Sequence, residues 1–264
     1  MKSAAIEQPV MQTGAARHSA QARRRMETAG ERPIFYCDWM RALFIHFECD
    51  PDQLQRETPF PLHLRDGRAY VSLVAFTMER LRPVFGGRYA AACLKPIARH
   101  EFLNVRTYVQ LRDEPGIFFL IEWLPNRLSV LLGPPVYGLP YNFGRFRYEH
   151  NFDARSIRGE VSGVCGRRFT YSATLEAHDS LAPCEAGTLD EFLLERYTAY
   201  TRRGASSLRF RIWHRPWPQV SARVELGDTS LLMQHCPWFA SARCVGANYS
   251  TGAVDVWVGA PKYV

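Results

Sequence analysis

The sequence predicts an α+β protein, mainly antiparallel β, in which a curled or closed sheet carries about three peripheral helices. Three observations carry this. Alternating or wholly apolar segments recur between turn signals along the 264 residues. Only a few segments have helix start signals, and strands and helices do not alternate as a parallel sheet requires. So many strands leave edges, which closure of the sheet removes. The 47% hydrophobic and 22% charged content is that of a globular protein long enough for a sizeable core.

Residues 1–32 read as a disordered N-terminal tail, and residues 33–264 as one domain. Asp38 is placed to cap a short apolar helix from Trp39 to Phe47. Asp50-Pro51-Asp52-Gln53 is a stronger helix start, with an N-cap and proline at the first position. Leu62 to Phe76 reads as a hairpin turning at Asp66-Gly67, its second arm apolar on both faces and therefore central. Glu101 to Leu111 alternates, residues 112–116 turn, and Ile117 to Trp123 returns. A segment broken by proline and glycine, Gly133 to Pro140, precedes strands near 144–152, 156–164 and 167–177. Thr188 and Glu191 form a capping box for a long helix from Leu189 to Thr201, stopped at Gly204. Further strands are expected at 208–214, 219–226, 229–235 and 253–258.

The formal charge is +7, from 33 basic and 26 acidic residues. Lysine occurs only at Lys2, Lys95 and Lys262, so the other 30 bases are arginines. Residues 1–32 hold six bases and three acids, which leaves a mild +4 on the rest of the chain. That balance argues against nucleic acid as a partner, which calls for a concentrated basic face. The densest basic stretch, Arg209 to Arg215, alternates as a strand does. With no run of 18 apolar residues, no secretory signal and seven unpaired-looking cysteines, a cytoplasmic protein that does not enter a membrane is expected.

No G-x-S-x-G, Walker loop, G-x-G-x-x-G after a strand or H-E-x-x-H occurs. Cys165, between Gly163 and Gly166, has no base nearby in sequence. His214, His235, Cys236 and Cys244 match no common zinc spacing, and no metal or cofactor is expected. The informative segment is Glu101-Phe-Leu-Asn-Val-Arg-Thr-Tyr-Val109. Its period of two sends Glu101, Leu103, Val105, Thr107 and Val109 to one face, and Phe102, Asn104, Arg106 and Tyr108 to the other. If the second face lines a cavity, an amide, a guanidinium and a phenol converge there. Arg106 then has two readings: a fork for a ligand carboxylate, or a partner for Glu122 on the returning arm.

Asn104 to Val109, Gly116-Ile-Phe-Phe119, Tyr137-Gly-Leu-Pro-Tyr141, Phe192 to Thr201 and His214-Arg-Pro-Trp217 resemble the YqjF-like bacterial proteins of unknown function. The match runs in order from about Trp39 to Trp217 and beyond. That family is similar in fold to acetoacetate decarboxylase, which implies a closed or cone-like β-barrel around a small-molecule cavity. The decarboxylase works through a Schiff-base lysine in a Gly-x-Pro-Lys-Lys segment. The corresponding segment here is Gly138-Leu-Pro-Tyr-Asn142, so Tyr141 and Asn142 stand at the lysine positions and neither forms an imine. The resemblance also implies a cavity role for Glu101, at odds with its strand face unless a bulge re-aims it.

The expected function is binding of a small, anionic carboxylate or keto compound without a Schiff base, with Arg106, Tyr141, Asn104, Tyr108, Glu101, Glu122 and Asn142 as site residues. A first alternative is a non-imine lyase, hydratase or isomerase using Arg106 and Tyr141. A second is an interaction protein that grips an acidic partner through its arginine-rich segments. The residues leave open whether the cavity catalyses, and they do not specify an oligomeric state.

Overall fold

A computed structural model describes residues 14–176 and 180–264. Six α-helices and twelve strands lie in the order α1 (Gly14–Thr28), β1 (Pro33–Cys49), α2 (Pro51–Gln55), β2 (Ala69–Pro83), α3 (Gly87–Leu94), β3 (His100–Leu111), β4 (Glu114–Leu124), α4 (Arg127–Tyr137), β5 (Tyr141–Asn151), β6 (Ser156–Gly163), β7 (Arg168–Leu175), α5 (Leu189–Leu194), β8 (Thr198–Arg203), β9 (Ser206–Trp213), β10 (Gln219–Leu226), α6 (Ser230–His235), β11 (Arg243–Gly259) and β12 (Lys262–Tyr263). Among the described residues no helix is long and apolar enough to cross a membrane.

All strands join one sheet, ordered β12-β9-β8-β4-β3-β2-β1-β11-β10-β7-β6-β5. Two further pairings, β9 with β11 and β4 with β5, close it on itself without making an even barrel. Pairing is antiparallel except where β4 meets β5 and β8. The central strands β1 to β4 therefore serve two cores. Leu43, Ile45, Leu103 and Val105 enter one, behind β5, β6, β7 and β10. Ala42, Phe44, Phe102 and Tyr108 enter the other, beneath β8 and β9. A strand buried on both faces needs apolar residues at every position, which is why β2 reads apolar throughout.

The Asp66-Gly67 turn forms with φ of 52° and 73°, and Arg65 and Arg68 pair across it. Asp50 caps α2 by accepting from the Gln53 N–H at 2.8 Å. Several expectations are corrected. Trp39 to Phe47 is not a helix but the middle of β1, paired along its length with β2 and β11. Asp38 is no cap there; its buried carboxylate meets Arg80 and accepts from the Asp255 N–H at 3.0 Å.

The capping box starts α5 as expected, but the helix ends at Leu194 and β8 follows. Thr198 to Thr201 is β-prone and gains ladder bonds to β9. Residues 230–235 form α6 rather than a strand, with Ser230 N–H bonded to the Asp228 carboxylate and Leu231 and Leu232 buried. Gly133 to Pro140 is largely α4, which tolerates Pro134 and Pro135 and stops at Gly138 in the left-handed region. Residues 14–28, read as disordered tail, form α1, which packs on β9, where the Trp213 indole N–H donates to the Ser19 carbonyl at 3.1 Å. Residues 1–13 of that expectation lie outside the described residues, as does residue 177 of the strand expected at 167–177.

Candidate functional site

Beneath β8 and β9 the second core lines a cavity of about 310 Å³ that is open to the surface. The ladder register builds its wall rung by rung. Phe44 on β1 pairs with Val74 on β2, Val74 with Asn104 on β3, Asn104 with Glu122 on β4, and Glu122 with Tyr141 on β5. All five side chains of that rung line the cavity. Arg106 and Phe102 flank Asn104 on the same face of β3, as the period of two requires. The register of β3 against β4 slips between Val105 and Arg106, a bulge at the charged end of the rung.

Arg106 is 8% exposed, and its Nη2 donates to the Leu193 carbonyl at 3.3 Å. Its Nε has no partner among the described residues, and its guanidinium lies 5.6 Å from the centre of the Phe44 ring. Arg106 shares the cavity with Glu122 but is not ion-paired to it. Burial pushes the Glu122 carboxyl well above the usual carboxylate range, against the pull of Arg106. Its Oε2 and the Asn104 Oδ1 are also buried without partners.

Tyr141 lies on the rung with its ring 5.8 Å from that of Phe102. Gly133 of α4 makes room for it, since any Cβ there would collide with the ring. Burial, and next the neighbouring Glu122, raise the phenol well above its ordinary value. Tyr141 is therefore a hydrogen-bond donor rather than a base.

Three expected residues sit elsewhere. Tyr108 is buried but does not line the cavity; its hydroxyl is shared with Ser72 and donates to the Leu193 carbonyl at 3.0 Å. It belongs to a satisfied chain in which His46 joins Ser72 and the Asn248 amide at 3.0 Å. Glu101 lies on the opposite face of β3, in an outer groove with His150 and Arg41. Asn142 turns back to donate to the Pro140 carbonyl at 3.0 Å.

The structure adds residues that sequence reasoning missed. Arg196, 8% exposed, lines the same cavity and gives its Nε to the Phe192 carbonyl at 2.6 Å and its Nη1 to His63 at 3.1 Å. Its Nη2 is buried without a partner, and neither it nor Arg106 is ion-paired to a described carboxylate. Both arginines thus lean on carbonyls in the last turn of α5, where the helix dipole is negative. His100 and His214 also face the cavity, and burial lowers both to about 4, leaving them neutral. Beyond the lining, buried Glu195 holds Trp217 in place by accepting its backbone N–H at 3.0 Å and also accepts from the Tyr197 hydroxyl. A signal existed for Arg196, an arginine just past a capped helix. A three-residue link carries no period from which its direction could be read.

No lysine lines the cavity among the described residues. Lys95 opens the turn after α3, and Lys262 ion-pairs with Glu31 at 3.1 Å.

A model of an uncharacterized conserved protein family, DUF2071, matches residues 36–241. The chain belongs to the DUF2071 family. The uncharacterized protein YqjF of Bacillus subtilis (strain 168) is 30% identical over 203 residues, 75% of this chain and 79% of that protein. Solved structures share the fold at low identity. An acetoacetate decarboxylase-like enzyme from Sphingomonas wittichii RW1 superposes with a TM-score of 0.62 at 16% identity, covering 88% of this chain and 93% of that one. Acetoacetate decarboxylase from Legionella pneumophila gives 0.61 at 14%, covering 88% of each chain. The enduracididine biosynthesis enzyme MppR, in a complex with pyruvate, gives 0.61 at 14%, covering 88% and 90%. This DUF2071 chain therefore has an acetoacetate decarboxylase-like fold.

Proposed function

We propose that the protein binds a small carboxylate or keto compound in this cavity without a Schiff base, through Arg106. The observation that carries the reading is a buried guanidinium with an unpartnered Nε–H and no ion pair, in a cavity shared with a carboxyl that burial pushes toward its neutral form. A buried charge without a counter-ion is costly, so a site of this kind gains most from a ligand that brings the missing charge. Protonated Glu122 and the Tyr141 phenol then donate to a second ligand oxygen. Asn104 offers an acceptor. Pyruvate bound to a protein of the same fold supports the ligand class by analogy. With Tyr141 at the lysine position of the decarboxylase segment, the ligand is held by hydrogen bonds alone.

The test is calorimetric titration of carboxylates against their neutral amides, with borohydride trapping in parallel. The reading expects binding that requires the carboxylate, is lost in Arg106→Met, and leaves no trapped adduct. Equal binding of acid and amide, or an adduct on a lysine, would overturn it.

A second reading is favoured by one feature, the protons of Glu122 and Tyr141 on a single rung beside Arg106. That set suits a lyase, hydratase or isomerase in which a neutral imidazole of the lining, His100 or His214, takes the α-proton, Arg106 steadies the enolate and Glu122 or Tyr141 returns a proton to it. Exchange of a keto acid's α-hydrogen with solvent deuterium, followed by NMR, tests it. Exchange by the wild type and none by Glu122→Gln supports catalysis; no exchange by the wild type leaves a binding protein. The interaction-protein reading is weakened, because Arg209 and Arg211 are already committed to Glu31 and Glu114.

A further inference from the structure

The size and walls of the cavity say more about the ligand than its charge. A volume of about 310 Å³ is many times the roughly 10–15 Å³ that one water needs on the same measure. A three-carbon keto acid would fill only part of it. Away from the polar rung the walls are aromatic. Phe76 stacks on Phe102 at 5.1 Å and 8°, and Trp39 on Trp217 at 6.1 Å and 11°. Such walls give nothing to a short hydrophilic acid, whereas a planar apolar body gains both burial and ring contacts.

The cavity is also polar at both ends. His100, Phe102, Asn104 and Arg106 project from one face of β3 into it. Six residues of strand separate the first Cα from the last by about 20 Å. At one end stand the two arginines with open N–H groups. At the other stands His100, 5% exposed, with both ring nitrogens lacking a partner among the described residues. Its ring is held in place by Phe102, 4.7 Å away. A buried neutral imidazole offers one donor and one acceptor, and leaving both unused is costly. Phe102 lies between His100 and the polar rung of Asn104, so one ligand reaching from the arginines to His100 must be apolar where it passes Phe102.

We propose that the cavity takes an elongated aryl-bodied carboxylate, its carboxylate between Arg106 and Arg196, its ring among Trp39, Phe76 and Phe102, and a hydroxyl or carbonyl oxygen at its far end bonded to His100. The proposal rests on the anion-binding reading above and narrows it to a ligand class. Arg196 becomes a second binding residue, and His100 sets specificity at the distal end.

The experiment is calorimetric titration of the full chain with pyruvate, phenylpropionate, para-hydroxyphenylpropionate and para-hydroxyphenylpropionamide, repeated on His100→Phe. Phenylpropionate should bind at least about tenfold more tightly than pyruvate, from burial of its ring. The para-hydroxyl should add about a further fivefold, and His100→Phe should remove that increment while sparing phenylpropionate. Pyruvate binding as tightly as the aryl acids overturns the aryl body but leaves the anion-binding reading standing. The amide matching its acid overturns the anion-binding reading itself. A hydroxyl advantage that survives in His100→Phe overturns the distal contact, and no binding by any probe overturns both.

Discussion

Arg209 and Arg211 on β9 and Arg106 and Arg196 at the cavity are the same residue type in one curved sheet, compensated in different ways. The β9 pair is closed. Arg211 grips both oxygens of Glu114 at 2.9 and 3.1 Å, and Arg209 bridges Glu114 and Glu31. The cavity pair is open. Each of its arginines gives one or two bonds to neutral groups and keeps another N–H buried and unused. The β9 cluster is partly wet and makes a joint between α1, β4 and β9. The cavity pair is drier, and its bonds go to carbonyls of α5 and to His63 rather than to carboxylates. A guanidinium whose fork is filled by the protein's own carboxylates is structural, and on the proposal above one left unpaired in an apolar cavity is available to a ligand.

The largest effect that tests this contrast is on binding. Arg106→Met should weaken para-hydroxyphenylpropionate about 100-fold, while urea unfolding shifts by no more than about 1 kcal/mol, because an unpaired buried charge leaves with it. A stability loss as large as that from the β9 cluster would erase the distinction. Glu114→Gln should do the reverse, costing roughly 2 kcal/mol with ligand affinity unchanged. This falls short of a fully buried pair because the carboxylate is partly exposed.

The two regions should also respond to pH with opposite signs. Arg211 and Thr198 hold the Glu114 carboxyl down to about 2, although its burial alone would raise it. A depressed carboxyl stabilises above its unfolded value near 4.5, and that contribution is lost as pH falls toward 2. Glu122 is raised, so its contribution is present below 4.5 and is lost as pH rises above it. Glu122→Gln should therefore be more stable than wild type at pH 8, by a margin that grows as pH rises above 4.5. At pH 4 the two should be nearly equal. A constant difference across that range would mean that the Glu122 carboxyl is not shifted on folding. The smallest effect belongs to the satisfied network: Tyr108→Phe should cost about 1 kcal/mol and leave affinity unchanged, as measured by the same titration.

Much of the site was legible because β3 is a regular strand. The period of two put Phe102, Asn104 and Arg106 on one face, and the structure keeps them there. It could not say where on that face the cavity ends, so Tyr108, one step further, was grouped with them. The rung that joins Asn104, Glu122 and Tyr141 depends on a parallel pairing of β4 with β5 across α4, a register no local pattern encodes. Arg196 and His214 lie just outside regular elements, where periodicity has nothing to act on. In the fold, β1 was hidden by an apolar run that suits a helix as well as a strand buried on both sides. The choice is made by β2 and β11, which are distant in sequence.

The most direct measurement is a crystal structure of the protein with para-hydroxyphenylpropionate bound. The account predicts the carboxylate within about 3 Å of the Arg106 Nε, no covalent bond to the chain, and the phenol oxygen at His100. A carboxylate bound away from Arg106, or a ligand linked to Lys95, would contradict it.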